Sequence, residues 1–145
     1  MLRSVLSCCA LVVGFGALGV PAEAYSYLSN AQTQAKNCRE TRNAGQWATS
    51  LPICLAAAET FKAQGDAEHR NPWYSYEIEG EMLENAAIDY AGLKRHREAL
   101  DTAIRAHDLL LYTYHHYQMD DSDYAEIAGI TQRLARFEAQ QRALI

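Results

Sequence analysis

Apolar residues along this chain recur at three- and four-residue spacing. No stretch shows the sustained alternation of two that a strand requires. Leu28, Ala31, Ala35 and Cys38 form one apolar stripe and predict a first helix from about Ser26 to Arg42, broken by Gly45. A second helix is predicted over about Ala48 to Ala63. Ser50 would cap its regular part, Pro52 would sit in its first turn, and Leu51, Cys54, Leu55, Ala58 and Phe61 would face inward. Gly65-Asp66 ends it, and residues 67–70 make a polar connection. Asn71 as cap and Pro72 at the first helical position open a third helix. Its seam is Trp73, Tyr76, Gly80, Leu83, Ala87 and Tyr90, and it ends near Gly92. A glycine inside a helix costs about 1 kcal/mol relative to alanine, so Gly80 predicts close packing.

A fourth helix runs from about His96 to Tyr117 with Ala99, Ala103, Ala106, Leu110 and Tyr114 inward. After a short acidic loop, a fifth begins at Ser122, or at Asp123 with Glu126 in capping-box spacing. Ile127, Ile130, Leu134 and Phe137 make its stripe. The expected fold is all-α: two stacked antiparallel helix hairpins closed by a C-terminal helix.

Composition changes this picture first at the N-terminus. Arg3, the apolar run from Cys8 to Val20 and the Ala-x-Ala pattern ending at Ala24 have the layout of a secretory signal peptide. The expectation is a leader over residues 1–24, one helical domain over 25–145, and a periplasmic or secreted location. The run is shorter than the roughly 20 residues of a membrane span, so none is expected. The formal net charge is −5, with no basic stripe to neutralise phosphates, which argues against a nucleic-acid partner.

Cys38 and Cys54 lie at equal distances either side of Gln46 in the turn sequence Asn43-Ala44-Gly45-Gln46. Two antiparallel helices joined there would bring the sulfurs level, and an oxidising compartment would join them. The alternative is a pair of buried free thiols.

No exposed-elbow serine, phosphate-cradling glycine loop, C-x-x-C or C-x-x-C-H motif occurs, so no enzymatic activity, catalytic residue or cofactor is expected. Glu77, Glu81 and Glu84 share one helical face. In a groove they would favour a basic or amine-bearing ligand; otherwise they are the solvated face of an amphipathic helix. His107, His115 and His116, with Tyr112, Tyr114, Tyr117, Asp120, Asp121 and Asp123, are credible metal or small-ligand groups. Adjacent histidines on a helix point about 100° apart, however, so no metal ligands are assigned.

The stretch from Asn71 to Leu111 resembles a tetratricopeptide repeat. Leu83, Ala86, Ala87 and Tyr90 match the large-small-small-aromatic positions of that family's first helix, and Ala99, Ala103 and Ala106 match its second. Lys94 stands where the family has a turn glycine. The same frame laid over the first hairpin puts Cys38 at the position of Ala87 and Gly45 at the turn, and helix five aligns Ala128-Gly129 with Ala86-Ala87. The frames are 49 and 42 residues apart, longer than the family's usual spacing. The resemblance implies a right-handed solenoid and a protein-interaction module. Its groove would be lined by Gln32, Ala35, Arg39 and Arg42, by Glu77, Glu81, Glu84 and Ile88, and by Asp123, Glu126, Ile130 and Arg133. The implied occupant is a protein or peptide segment, held chiefly by Glu77, Glu81, Glu84, Ile88, Arg39, Arg42, Asp123 and Glu126. An inhibitor of a secreted hydrolase would use the same groove, and the exposed ends of so short a stack invite a homodimer.

Overall fold

Helices α1 (Ala22–Asn43), α2 (Trp47–Ala67), α3 (Trp73–Gly92), α4 (His96–His116) and α5 (Asp121–Arg142) follow one another with short connections and no strand among the described residues. This computed structural model describes the backbone of residues 22–145 and side chains from residue 30 onward. The expected leader over residues 1–24, apart from the helical backbone of its last three residues, and the inward place of Leu28 lie outside that description. Each helix packs on the next, and α3 also touches α1 and α5. Among the described residues it is the one helix that meets the other four. That explains why α3 buries residues on nearly every face, including Glu77, Glu79, Asn85 and Asp89.

Two of the turns have the same hydrogen bonding. At the end of α1, Gly45 N–H donates to the Arg42 carbonyl and Gln46 N–H to the Thr41 carbonyl. At the end of α3, Lys94 N–H donates to Ala91 and Arg95 N–H to Tyr90. This pairing of a 5→2 with a 6→1 bond is a Schellman motif, which requires a left-handed residue just past the helix. Gly45 supplies it at φ 71° and Lys94 at φ 63°. Beyond the first turn, Cys38 and Cys54 form a disulfide with a Cα–Cα distance of 4.8 Å, as the symmetric spacing predicts.

Close packing at Gly80 is also found. A Cβ there would meet Leu110 of α4 at 2.6 Å, so α3 and α4 approach where α3 has no side chain. Gly92 is likewise covered by the Trp47 ring, which would lie 2.7 Å from a Cβ. Ala87, Ala99, Ala103 and Ala106 are fully buried beside them.

Helix starts differ from the sequence expectation, and each difference has a local cause. Helix α2 begins at Trp47, placing Pro52 in its second turn. Ser50 is therefore an interior residue, buried, with its hydroxyl against Cys54 Sγ at 3.3 Å. Gly65 does not end α2; it is buried under the Tyr76 ring, and the helix runs on to Ala67. Pro72 rather than Asn71 occupies the N-cap of α3, without a side-chain cap. Asp120 caps α5 by accepting from the Ser122 and Asp123 N–H groups, in place of Ser122 or Asp123. Tyr114 is 37% exposed, while Thr113 takes the buried place and donates to the Leu109 carbonyl.

Candidate functional site

Residues from α1, α3 and α5 line an open cleft of about 540 Å³: Arg42, Glu84, Ile88, Arg133, Arg136, Phe137 and Gln140. Three of these, Arg42, Glu84 and Ile88, are among the groove residues expected to hold a partner, and Arg133 is a further expected groove position. The cleft therefore draws on the three odd-numbered helices.

The expected acidic strip is only partly free. Arg39 makes a two-pronged pair with Glu81, its Nε donating to Oε1 at 2.6 Å and its second nitrogen to Oε2. Arg133 does the same with Glu84, both bonds at 2.9 Å. Fork-to-fork pairs of this kind fix both side chains and cancel their charges locally. These pairs hold α1 and α5 against α3, and the guanidinium of each is held above its ordinary value chiefly by that hydrogen bond. Glu81 and Glu84 are thus engaged within the protein, and their charge is not left for a basic ligand. The cleft carries Arg42 and Arg136 in addition to the neutralised Arg133–Glu84 pair, so its surplus charge is positive.

Glu77 sits at the other end of the same face and is 7% exposed. Burial, then the charges of Glu126, Asp123 and Glu81, push its carboxyl up to about 7. Asp123 and Glu126 are hence brought to Glu77, as the sequence placement anticipates, but around a carboxyl that burial disfavours as an anion. Two expected groove positions are not available. Ala35 and Ile130 are buried in the core, since α1 packs chiefly on α2 and α5 chiefly on α4. Gln32 is exposed, and its amide donates to the Tyr74 hydroxyl at 3.4 Å.

Sequence reasoning missed Arg136, Phe137 and Gln140 as cleft residues. Phe137 reads as core because it continues the α5 stripe, yet the helix end leaves it half-buried at the cleft edge. The spacing of Arg133, Arg136 and Gln140 at three and four residues was the available signal. Also missed is Glu79, buried on the opposite side of α3, 3.6 Å from Arg105. Burial pushes its carboxyl up to about 7, despite the opposing charges of Arg105 and Lys62. Asp89 is fully buried at the end of α3 with no hydrogen-bond partner on either oxygen. Burial raises it to about 6, opposed by the Arg42 charge and by the nearby Ser50 hydroxyl, which bonds within the seam to Cys54 Sγ rather than to Asp89.

The histidine and tyrosine cluster is occupied by internal contacts. His107 Nδ1 pairs with Glu138 of α5 at 2.7 Å, and His96 Nδ1 with Gln141 at 2.9 Å. His116 lies stacked on Tyr112 with ring centroids 4.0 Å apart, and Tyr114 meets Tyr124 edge-on. Asp120 is the α5 cap. Among the described residues no three histidine, cysteine or acidic groups converge as a metal ion would need. No described helix is long and apolar enough to cross a membrane. Compared with known proteins, the chain matches no family model, no curated protein and no solved structure.

Proposed function

We propose that this chain is an exported, tetratricopeptide-like interaction module that receives a segment of a partner protein in the groove formed by α1, α3 and α5. The observation that carries this reading is the cleft itself. It joins side chains from three helices distant in sequence, and it combines apolar Ile88 and Phe137 with charged Arg42, Arg133 and Arg136. Binding sites of that size and mixture suit a partner side chain with a polar neighbour. The forked pairs Arg39–Glu81 and Arg133–Glu84 keep the groove helices in register, which lowers the ordering cost of binding. Export is supported by the Cys38–Cys54 bridge, since structural disulfides persist in oxidising compartments.

A photoreactive amino acid placed at Ile88, in the cleft, and separately at Ala56, exposed on α2, tests this in the producing cell. The expected outcome is a discrete crosslinked partner from position 88 that is absent from position 56 and lost when Arg136→Glu is added. Equal capture from both positions, or none from position 88, would remove the groove from consideration.

A further inference from the structure

Beyond the cleft, the charges along the groove are sorted. At its centre, Arg39 and Arg133 cancel against Glu81 and Glu84. What remains is cationic at one end, where Arg42 and Arg136 line the cleft, and acidic at the other, where Glu77, Asp123 and Glu126 come together. Of these, Asp123 in the first turn of α5 and Arg42 in the last turn of α1 are also where the helix dipoles favour them. Resting on the groove reading above, we infer that the groove is polar in charge and binds an extended segment of a partner protein in one orientation. That segment carries an acidic side chain beside an apolar one at the Arg42–Arg136 end, and a lysine or arginine about five residues away at the Glu77–Glu126 end.

The spacing comes from the helices. Glu77 and Ile88 are eleven positions apart on α3, about 16 Å at 1.5 Å per residue, and Glu126 to Arg136 on α5 spans about 15 Å. An extended chain covers that distance in about five residues. At the cationic end, Arg136 is exposed and in no ion pair among the described residues, so its guanidinium is open to an incoming carboxylate. Ile88 and Phe137 provide the apolar wall for the neighbouring side chain. At the acidic end, a partner cation offsets the charges of exposed Glu126 and half-buried Asp123, which meet beside Glu77.

Selection of a displayed nonapeptide library, randomised between fixed flanks, against the purified protein tests the inference. The selected peptides are then measured by fluorescence anisotropy. Enriched sequences should pair an acidic and an apolar residue, with lysine or arginine four to six positions away. Arg136→Glu and Glu126→Lys, both at exposed side chains, should each weaken binding by about tenfold with the fold retained by circular dichroism. Peptides whose acidic residue is replaced by lysine should regain affinity for the Arg136→Glu protein. Binders of a single charge sign, or with opposite charges at no fixed spacing, would overturn the polarity and leave the groove reading standing. Binders indifferent to both substitutions, or no binders at all, would overturn the groove reading as well.

Discussion

The hairpins α1–α2 and α3–α4 share one turn and solve the problem beyond it in opposite ways. Moving 49 positions along the chain carries Gly45 to Lys94, Cys38 to Ala87, Cys54 to Ala103 and Ser50 to Ala99. All six residues facing across the two seams are buried. The first hairpin joins its helices covalently at these positions, whereas the second removes side-chain volume so that the backbones approach. Even the lid over the turn has a counterpart: Trp47 lies on Gly92, and 49 positions on in each case His96 bonds Gln141. One backbone geometry is thus compatible with a staple or with close small-residue packing. The staple belongs to the hairpin with one face toward α3, and the alanines to the hairpin enclosed by helices on both sides.

The comparison breaks most directly at the disulfide. Replacing both cysteines, Cys38→Ala with Cys54→Ala, gives the first hairpin the residues of the second. Closing a loop of this size restricts the unfolded chain by about 3 kcal/mol, so urea unfolding should show a loss of that order. A loss well under 1 kcal/mol would mean that packing alone holds both hairpins equally.

A second contrast is electrostatic, because among the described residues α3 buries carboxylates and α1 does not. Glu77 and Glu79 have folded values near 7 against an ordinary 4.5, so the folded protein binds more protons between those limits. Stability is therefore greatest at the acid side of that window and falls as pH rises from about 4.5 through 7. Glu77→Gln should stabilise the protein at pH 8 by about 1–3 kcal/mol and leave it little changed at pH 4. Glu79→Gln should gain less, since it also gives up Arg105 at 3.6 Å. Thermal melts across pH check both, and a Glu77→Gln protein with the same pH slope as the parent would refute the assignment.

The smallest effect sharpens the likeness of the turns. Lys94 holds a left-handed conformation that a side chain disfavours by about 1 kcal/mol, and Gly45 holds it freely. Lys94→Gly should raise stability by about 1 kcal/mol and Gly45→Lys should lower it by a similar amount. Opposite signs in one denaturation series would confirm that the turns are equivalent.

Local regularity made much of the fold legible. The three- and four-residue apolar spacing determined five helices, because a helix must bury one stripe whatever it packs against. The mirror placement of Cys38 and Cys54 about the turn determined the bridge, and Gly80 marked a close approach. Helix starts were less legible. Ser50 and Asn71 have the chemistry of caps, but Ser50 is drawn into the seam beside Cys54, and Pro72 takes the cap of α3. The candidate site was legible only as a set of faces. Glu81 and Glu84 look like free acids on a helical wheel, and only the packing of α1 and α5 on α3 brings Arg39 and Arg133 to them. That pairing changes the sign of the cleft, since it leaves Arg136 unpaired and Arg42 facing only the buried Asp89. A sequence specifies which side chains lie on each stripe; which opposite charges end up opposed depends on how helices 42 and 49 residues apart are brought together, and only the tertiary structure decides that.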